Sequence, residues 1–110
     1  MTKQAAPKHL SADSRRLWLA IVTEFEIEDP AGTRILQTAL EALDRAAMAR
    51  KQIDDEGMTI RDKFGQLKSH PLLPTERDAR SAFLQGMKAL NLDLLPSRDG
   101  PGRPPGNGRL

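Results

Sequence analysis

Apolar residues recur at three- and four-residue intervals along most of this chain, and the rhythm breaks once, between Gly57 and Pro71. Leu17, Trp18, Ile21, Val22 and Phe25 fall on one side of a helix predicted from Ser11, as N-cap, to about Phe25. Asp13 stands in its first turn, where a carboxylate meets the positive end of the helix dipole. Trp18 reads as a buried anchor before it reads as a stacking surface for a base. An acidic cluster follows at Glu24, Glu26, Glu28 and Asp29, and Asp29-Pro30 is a strong pairing of N-cap and first helical residue. The second helix is predicted over 30–56, roughly 40 Å long at 1.5 Å per residue. Its apolar face is broad: Ile35, Leu36, Ala39, Leu40, Leu43, Ala46, Ala47 and Ile53, with alanines small enough for close helix approach. Along its outer side Arg45, Arg50 and Lys51 alternate with Asp44, Asp54 and Asp55, the mark of a solvated face.

The interruption predicts a β-hairpin at about 58–68. Gly57 ends the helix, Met58 to Arg61 alternate as a strand, and Asp62-Lys63-Phe64-Gly65 supplies a turn with glycine last. His70-Pro71 closes the unit, because proline drives the preceding residue out of helical geometry. A third helix is predicted from Pro74-Thr75 to about Leu90, carrying Ala79, Ala82, Phe83, Gly86, Met87 and Leu90 at helical spacing. Gly86 costs about 1 kcal/mol against alanine inside a helix, so a close helix crossing is expected there. Asn91 suits a left-handed cap, after which Leu92, Leu94 and Leu95 form a short apolar clamp onto the body or onto a neighbouring subunit. The fold class is therefore mainly α: three main helices with a small hairpin between the second and third. The expected organisation is a flexible basic arm at 1–9, a helical domain at 10–96 and a disordered Pro/Gly/Arg tail at 97–110.

Composition narrows the chemistry. With 110 residues, one tryptophan, three phenylalanines and no tyrosine, burial rests on aliphatic side chains, and a core this small gains from self-association. The absence of cysteine removes disulfides and thiolate chemistry. No apolar run reaches the roughly 20 residues of a bilayer span, so a soluble protein is expected. The net charge of +2 divides into +2 at residues 1–9, +2 at 97–110 and −2 between them. Polyanion contact is thus expected through the ends, with solubilising tails as the other reading. Neither His9 nor His70 sits in a metal or triad spacing, and His70 reads as a structural residue bonding nearby backbone. No phosphate-binding glycine loop is present. Asp54, Asp55, Glu56 and Asp62 are read as solvated, and no metal, cofactor or catalytic residue is assigned.

The order of landmarks carries a resemblance. Pro7, Leu10-Ser11 ahead of the helix with Trp18, the long helix ending at Gly57, Gly65 in the hairpin, His70-Pro71 and Pro96-Ser97-Arg98 together resemble the small subunit of tailed-phage terminase. The likeness is to its compact group without an obvious helix-turn-helix and covers roughly residues 7–98. It departs at Leu90-Asn91-Leu92-Asp93-Leu94-Leu95, where similar proteins show a shorter Leu-Gly-Leu-type exit. The resemblance implies a non-catalytic adaptor in the host cytoplasm that binds double-stranded viral DNA. It also implies recruitment or modulation of a large ATPase/nuclease subunit, and homo-oligomeric rings of about eight to ten copies.

Lys3, Lys8, Arg98, Arg103 and Arg109 are the expected DNA contacts, with Arg61, Lys63 and Lys68 on the hairpin as a second patch that serves either DNA or a neighbouring subunit. Gly102-Arg103-Pro104 matches only part of an Arg-Gly-Arg-Pro minor-groove hook, since Pro101 replaces the first arginine. Leu36, Leu40, Leu43 and Ala47 are the expected oligomer interface, with the intrachain core as their alternative role. The competing functional reading is a small helical regulatory or scaffold protein that binds another protein and no nucleic acid, which the acidic body favours.

Overall fold

The computed structural model describes residues 5–92. It contains three helices, α1 (Ala12–Phe25), α2 (Pro30–Glu56) and α3 (Leu73–Ala89), with an antiparallel hairpin of β1 (Thr59–Arg61) and β2 (Leu67–Ser69) between α2 and α3. Each start and stop has a local cause. Ser11 caps α1 by accepting from the Ser14 amide, and Asp29 caps α2 by accepting from the Gly32 amide with Pro30 in the first turn. Gly57 is the C-cap of α2, and its N–H donates to the Ile53 carbonyl. Asn91 takes the left-handed conformation after α3, and the Leu92 amide returns to the Met87 carbonyl. Glu26 is the unexpected stop: it adopts φ 53°, which ends α1 and turns the chain so that Ile27 is buried.

Helix α2 is the spine on which both other helices lie. The main core lies toward its N-terminal half, where Leu36, Ala39 and Leu40 meet Trp18, Ile21, Val22 and Met87, with Leu10 and Ile27 sealing the edges. Along α2, Ala39, Ala42, Ala46, Ala49 and Ile53 are all buried and recur every three or four residues. Two points show that this seam runs antiparallel to α3. Gly86 sits against Ala39 at one end, and Ile53 shares a small hollow with Leu73 and Glu76 at the other. The close crossing expected at Gly86 is present, since a Cβ built there would lie 2.6 Å from the Ala39 Cβ.

Some expected core positions face outward. Ala47 and Ala82 are exposed, and Phe25 keeps 36% of its surface because α1 ends at that residue in the left-handed turn. Ala42 and Ala49 are buried in their place, which rotates the α2 seam toward α3. Residues 5–9, the described part of the expected flexible arm, are held against the body. Ala6 packs on the core, the Arg15 guanidinium donates to the Lys8 and Leu10 carbonyls, and His9 Nε2 lies 2.7 Å from a Glu41 carboxylate oxygen. The expected tail, and Leu94 and Leu95 of the clamp, lie outside the described residues; Leu92 packs on the core as expected.

Because the Gly86 site has no room, Gly86→Ala is expected to destabilise the fold by about 1–3 kcal/mol despite alanine's higher helix propensity. Pairing it with Ala39→Gly should recover most of that loss. Guanidinium unfolding of the single and double variants measures both.

Candidate functional site

The hairpin stands at the end of α2 farthest from the core, and its turn is organised by one carboxylate. Asp62 Oδ1 accepts from the Phe64 amide at 2.8 Å and the Gln66 amide at 3.0 Å. The Gly65 amide donates to the Asp62 carbonyl, and the Asp62 amide donates to the Gln66 carbonyl, both at 2.9 Å. Lys63, Phe64 and Gly65 thus form a three-residue loop, and Gly65, at φ 80°, occupies the left-handed position where a side chain would be strained. The ladder pairs Thr59 with Ser69, Ile60 with Lys68 and Arg61 with Leu67.

That register separates the expected hairpin cations. Arg61 and Leu67 share one face with Thr59 and Ser69, all four exposed, whereas Lys68 shares the other with Ile60. The Arg61 guanidinium is held by the Gly65 carbonyl at 2.6 Å, and the Lys63 ammonium lies 5.5 Å from the Phe64 ring centroid. Among the described residues neither Lys63 nor Lys68 forms an ion pair. Beside these charges lie Met58, Phe64 and Leu67, exposed by 68%, 76% and 62%. This apolar component has a signal in the sequence, Phe64 in a turn and Leu67 beside Lys68, that the charge pattern alone does not bring out.

His70 fixes the hairpin to both neighbouring helices. It is 2% exposed; its amide continues the ladder to the Met58 carbonyl, and its carbonyl accepts from the Leu73 amide. Nδ1 accepts from the Leu72 amide at 3.0 Å, and an amide can only donate, so the ring proton resides on Nε2 and is donated to Glu56 at 2.6 Å. The imidazole supplies the cap that Leu72, with no side-chain acceptor, cannot give α3. The expected structural role of His70 is therefore present, and its bond to Glu56 at the end of α2 was not foreseen.

A second polar junction lies on α2 nearer the core. Asp44 accepts from the Ser11 amide and from the Ser11 and Ser14 hydroxyls, at 2.8, 2.7 and 2.6 Å, fixing the start of α1 on α2. Ser14 is buried there, so Asp44 is an anchor and not the solvated charge its neighbours suggested. Leu36 and Leu40 are wholly buried within the chain and Leu43 packs against the same core, which is the second of the two roles open to them. Leu36 and Leu40 have no surface to offer another copy, Leu43 is partly buried, and Ala47 is exposed. Of the expected terminal DNA contacts, Lys8 is exposed, while Lys3, Arg98, Arg103 and Arg109 lie outside the described residues.

Three of the four acidic residues near the hairpin have separate partners. Asp62 holds its turn, Glu56 binds His70 and Gln52, and Asp55 pairs with Lys51. Among the described residues no three potential metal ligands come together, and no helix is long and apolar enough to cross a membrane. No protein family matches the chain, and neither a curated protein nor a solved structure matches it.

Among the described residues, the carboxylates of Glu41, Asp44 and Glu56 titrate below their ordinary values. Glu56 does so chiefly through the His70 bond, and Glu41 through Gln37 and then His9. For Asp44 burial acts in the opposite direction, but the Ser14 and Ser11 hydrogen bonds outweigh it. A carboxylate lowered by folding adds stability above its unfolded pKa, here 3.8 to 4.5, and that stability disappears as pH falls through the folded value. Denaturant midpoints are therefore expected to hold through neutral pH and drop on acidification below about 4.5. Glu56→Gln, which keeps an acceptor for His70, should flatten this acid dependence. Asp44→Ala should cost about 1–3 kcal/mol at neutral pH by stranding the buried Ser14 hydroxyl.

Proposed function

We propose that this chain is a non-catalytic DNA-binding adaptor acting in several copies. It belongs functionally with the terminase small subunits it resembles, engaging viral duplex DNA and recruiting or modulating a large ATPase/nuclease subunit. The observation that carries this reading is the architecture. A long spine helix, a hairpin and a third helix occur in the order that accompanies the resemblance, with a cation-bearing hairpin displayed at one end.

Contact with DNA is assigned to Lys3, Lys8, Arg98, Arg103 and Arg109. Five cations per chain hold a duplex weakly, and several copies on one DNA multiply that grip without any new contact. Arg61, Lys63 and Lys68 are the second candidate patch, although their division between two hairpin faces weakens the case for a single phosphate track.

The second reading, a regulatory or scaffold protein without nucleic-acid affinity, is favoured by exposed Met58, Phe64 and Leu67, which suit a protein surface better than a phosphate backbone. Native mass spectrometry of the full chain with short duplex DNA separates the two. The adaptor reading expects complexes of several chains per duplex; free DNA beside unaltered protein at low salt would establish the second reading. Removal of residues 97–110 strips three arginines from each chain. It should weaken duplex retention at least about tenfold and reduce the log–log salt slope by on the order of two to three per engaged chain. Unchanged retention and slope would reject the terminal segment as the contact.

A further inference from the structure

We infer that the exposed face and tip of the hairpin form a docking surface for a second copy of this chain, received at the acidic corner between α1 and α2. The inference rests on the multi-copy reading above and names the contact that would build it. Thr59, Arg61, Leu67 and Ser69 on that face are all exposed among the described residues, and Phe64 at the tip is the most exposed large apolar side chain described. A two-stranded hairpin of three-residue strands is marginal alone, and covering its apolar face would stabilise it.

Charge complementarity selects the occupant. The docking face and tip carry Arg61 and Lys63 against Asp62, with Lys68 on the other face, whereas residues 17–33 carry Glu24, Glu26, Glu28 and Asp29 with no lysine or arginine. All four of these acidic residues are exposed, and none forms an ion pair among the described residues. Phe25 lies among them, part-exposed, and offers an apolar partner to Leu67 or Phe64.

The helix between the two surfaces makes the contact intermolecular. The corner precedes Pro30 and the hairpin follows Glu56, so 27 residues of α2 hold them roughly 40 Å apart at 1.5 Å per residue. A chain's own hairpin cannot reach its own corner. Each copy presents one of each surface, so the contact is head-to-tail and closes into a ring or continues as a filament according to the rotation per step. Opposite charges across the interface set its register and make it sensitive to salt.

Reversal of charge on each side provides the test in the full chain, read by native mass spectrometry and sedimentation at micromolar concentration. Variant one is Lys63→Glu with Leu67→Glu; the new Glu at 67 faces Arg61 across the ladder and supports the hairpin. Variant two is Glu24→Lys, Glu26→Lys and Glu28→Lys. Each alone should weaken assembly at least about tenfold in dissociation constant, with circular dichroism and thermal midpoint showing retained folding. Mixed, they should assemble again with alternating composition, because each variant's hairpin then meets a corner of opposite charge. A hairpin variant that remains assembled as wild type overturns the docking surface, including when it loses duplex retention, which would give the hairpin to DNA. Dissociated variants that fail to assemble on mixing overturn the corner as partner. Wild-type protein that is itself monomeric defeats the multi-copy reading on which the docking rests.

Discussion

The contact on which the arrangement depends is the close approach of α3 to α2 at Gly86 and Ala39, where one added methyl group would lie 2.6 Å from its neighbour. A core with few aromatic residues gains its stability from how closely its aliphatic surfaces meet. The buried alanines of α2 and the missing side chain at Gly86 bring the helices together along one face of α2. The larger side chains, Trp18, Leu36, Leu40 and Met87, then close the space left beside that seam. Helix α1 completes the three-helix core on the N-terminal half of α2, leaving the other end to carry the hairpin.

Two polar junctions convert this packing into a defined geometry. Asp44 gathers the amide and hydroxyl of Ser11 and the hydroxyl of Ser14, so α1 starts at one point on α2. His70 joins the end of α2, the hairpin ladder and the beginning of α3 through one neutral imidazole. Hydrogen bonds of this kind contribute modestly to net stability, but losing one partner of a buried group is costly. Their structural effect here is orientation: the hairpin is set at the end of the spine, with one face left open.

The charge pattern acquires meaning from that geometry. A weakly acidic body with a net charge of +2 for the whole chain says little about partners until its charges are placed. The spine helix puts acidic residues that form no ion pair among the described residues at one end and a net cationic, apolar hairpin at the other. A unit with unlike ends is suited to head-to-tail association, which the proposed adaptor would need in order to hold a polyanion through a few cations per chain. The terminal cations and the hairpin thereby take separate roles in the proposed adaptor, one toward DNA and one toward the next copy.

Local grammar made most of the fold legible in the sequence. Ser11, Asp29-Pro30, Gly57, Gly65 and Asn91 act on backbone groups within a few residues, so their roles as caps and turns could be read before any packing was known. Helical periodicity identified Trp18, Ile21 and Val22 as buried for the same reason, whereas for Leu36 and Leu40 it left an interface between copies and the intrachain core both open, and packing buries them within the chain. The sequence by itself therefore determined three helices, one hairpin and their order. The tertiary structure alone decided that Asp44 is an anchor, that His9 and Glu41 meet, that His70 donates to Glu56, and that Arg61 and Lys68 point to opposite sides. Partners as far as 33 residues apart meet only when helices pack, and a strand's facing direction depends on a register set by the turn and ladder together.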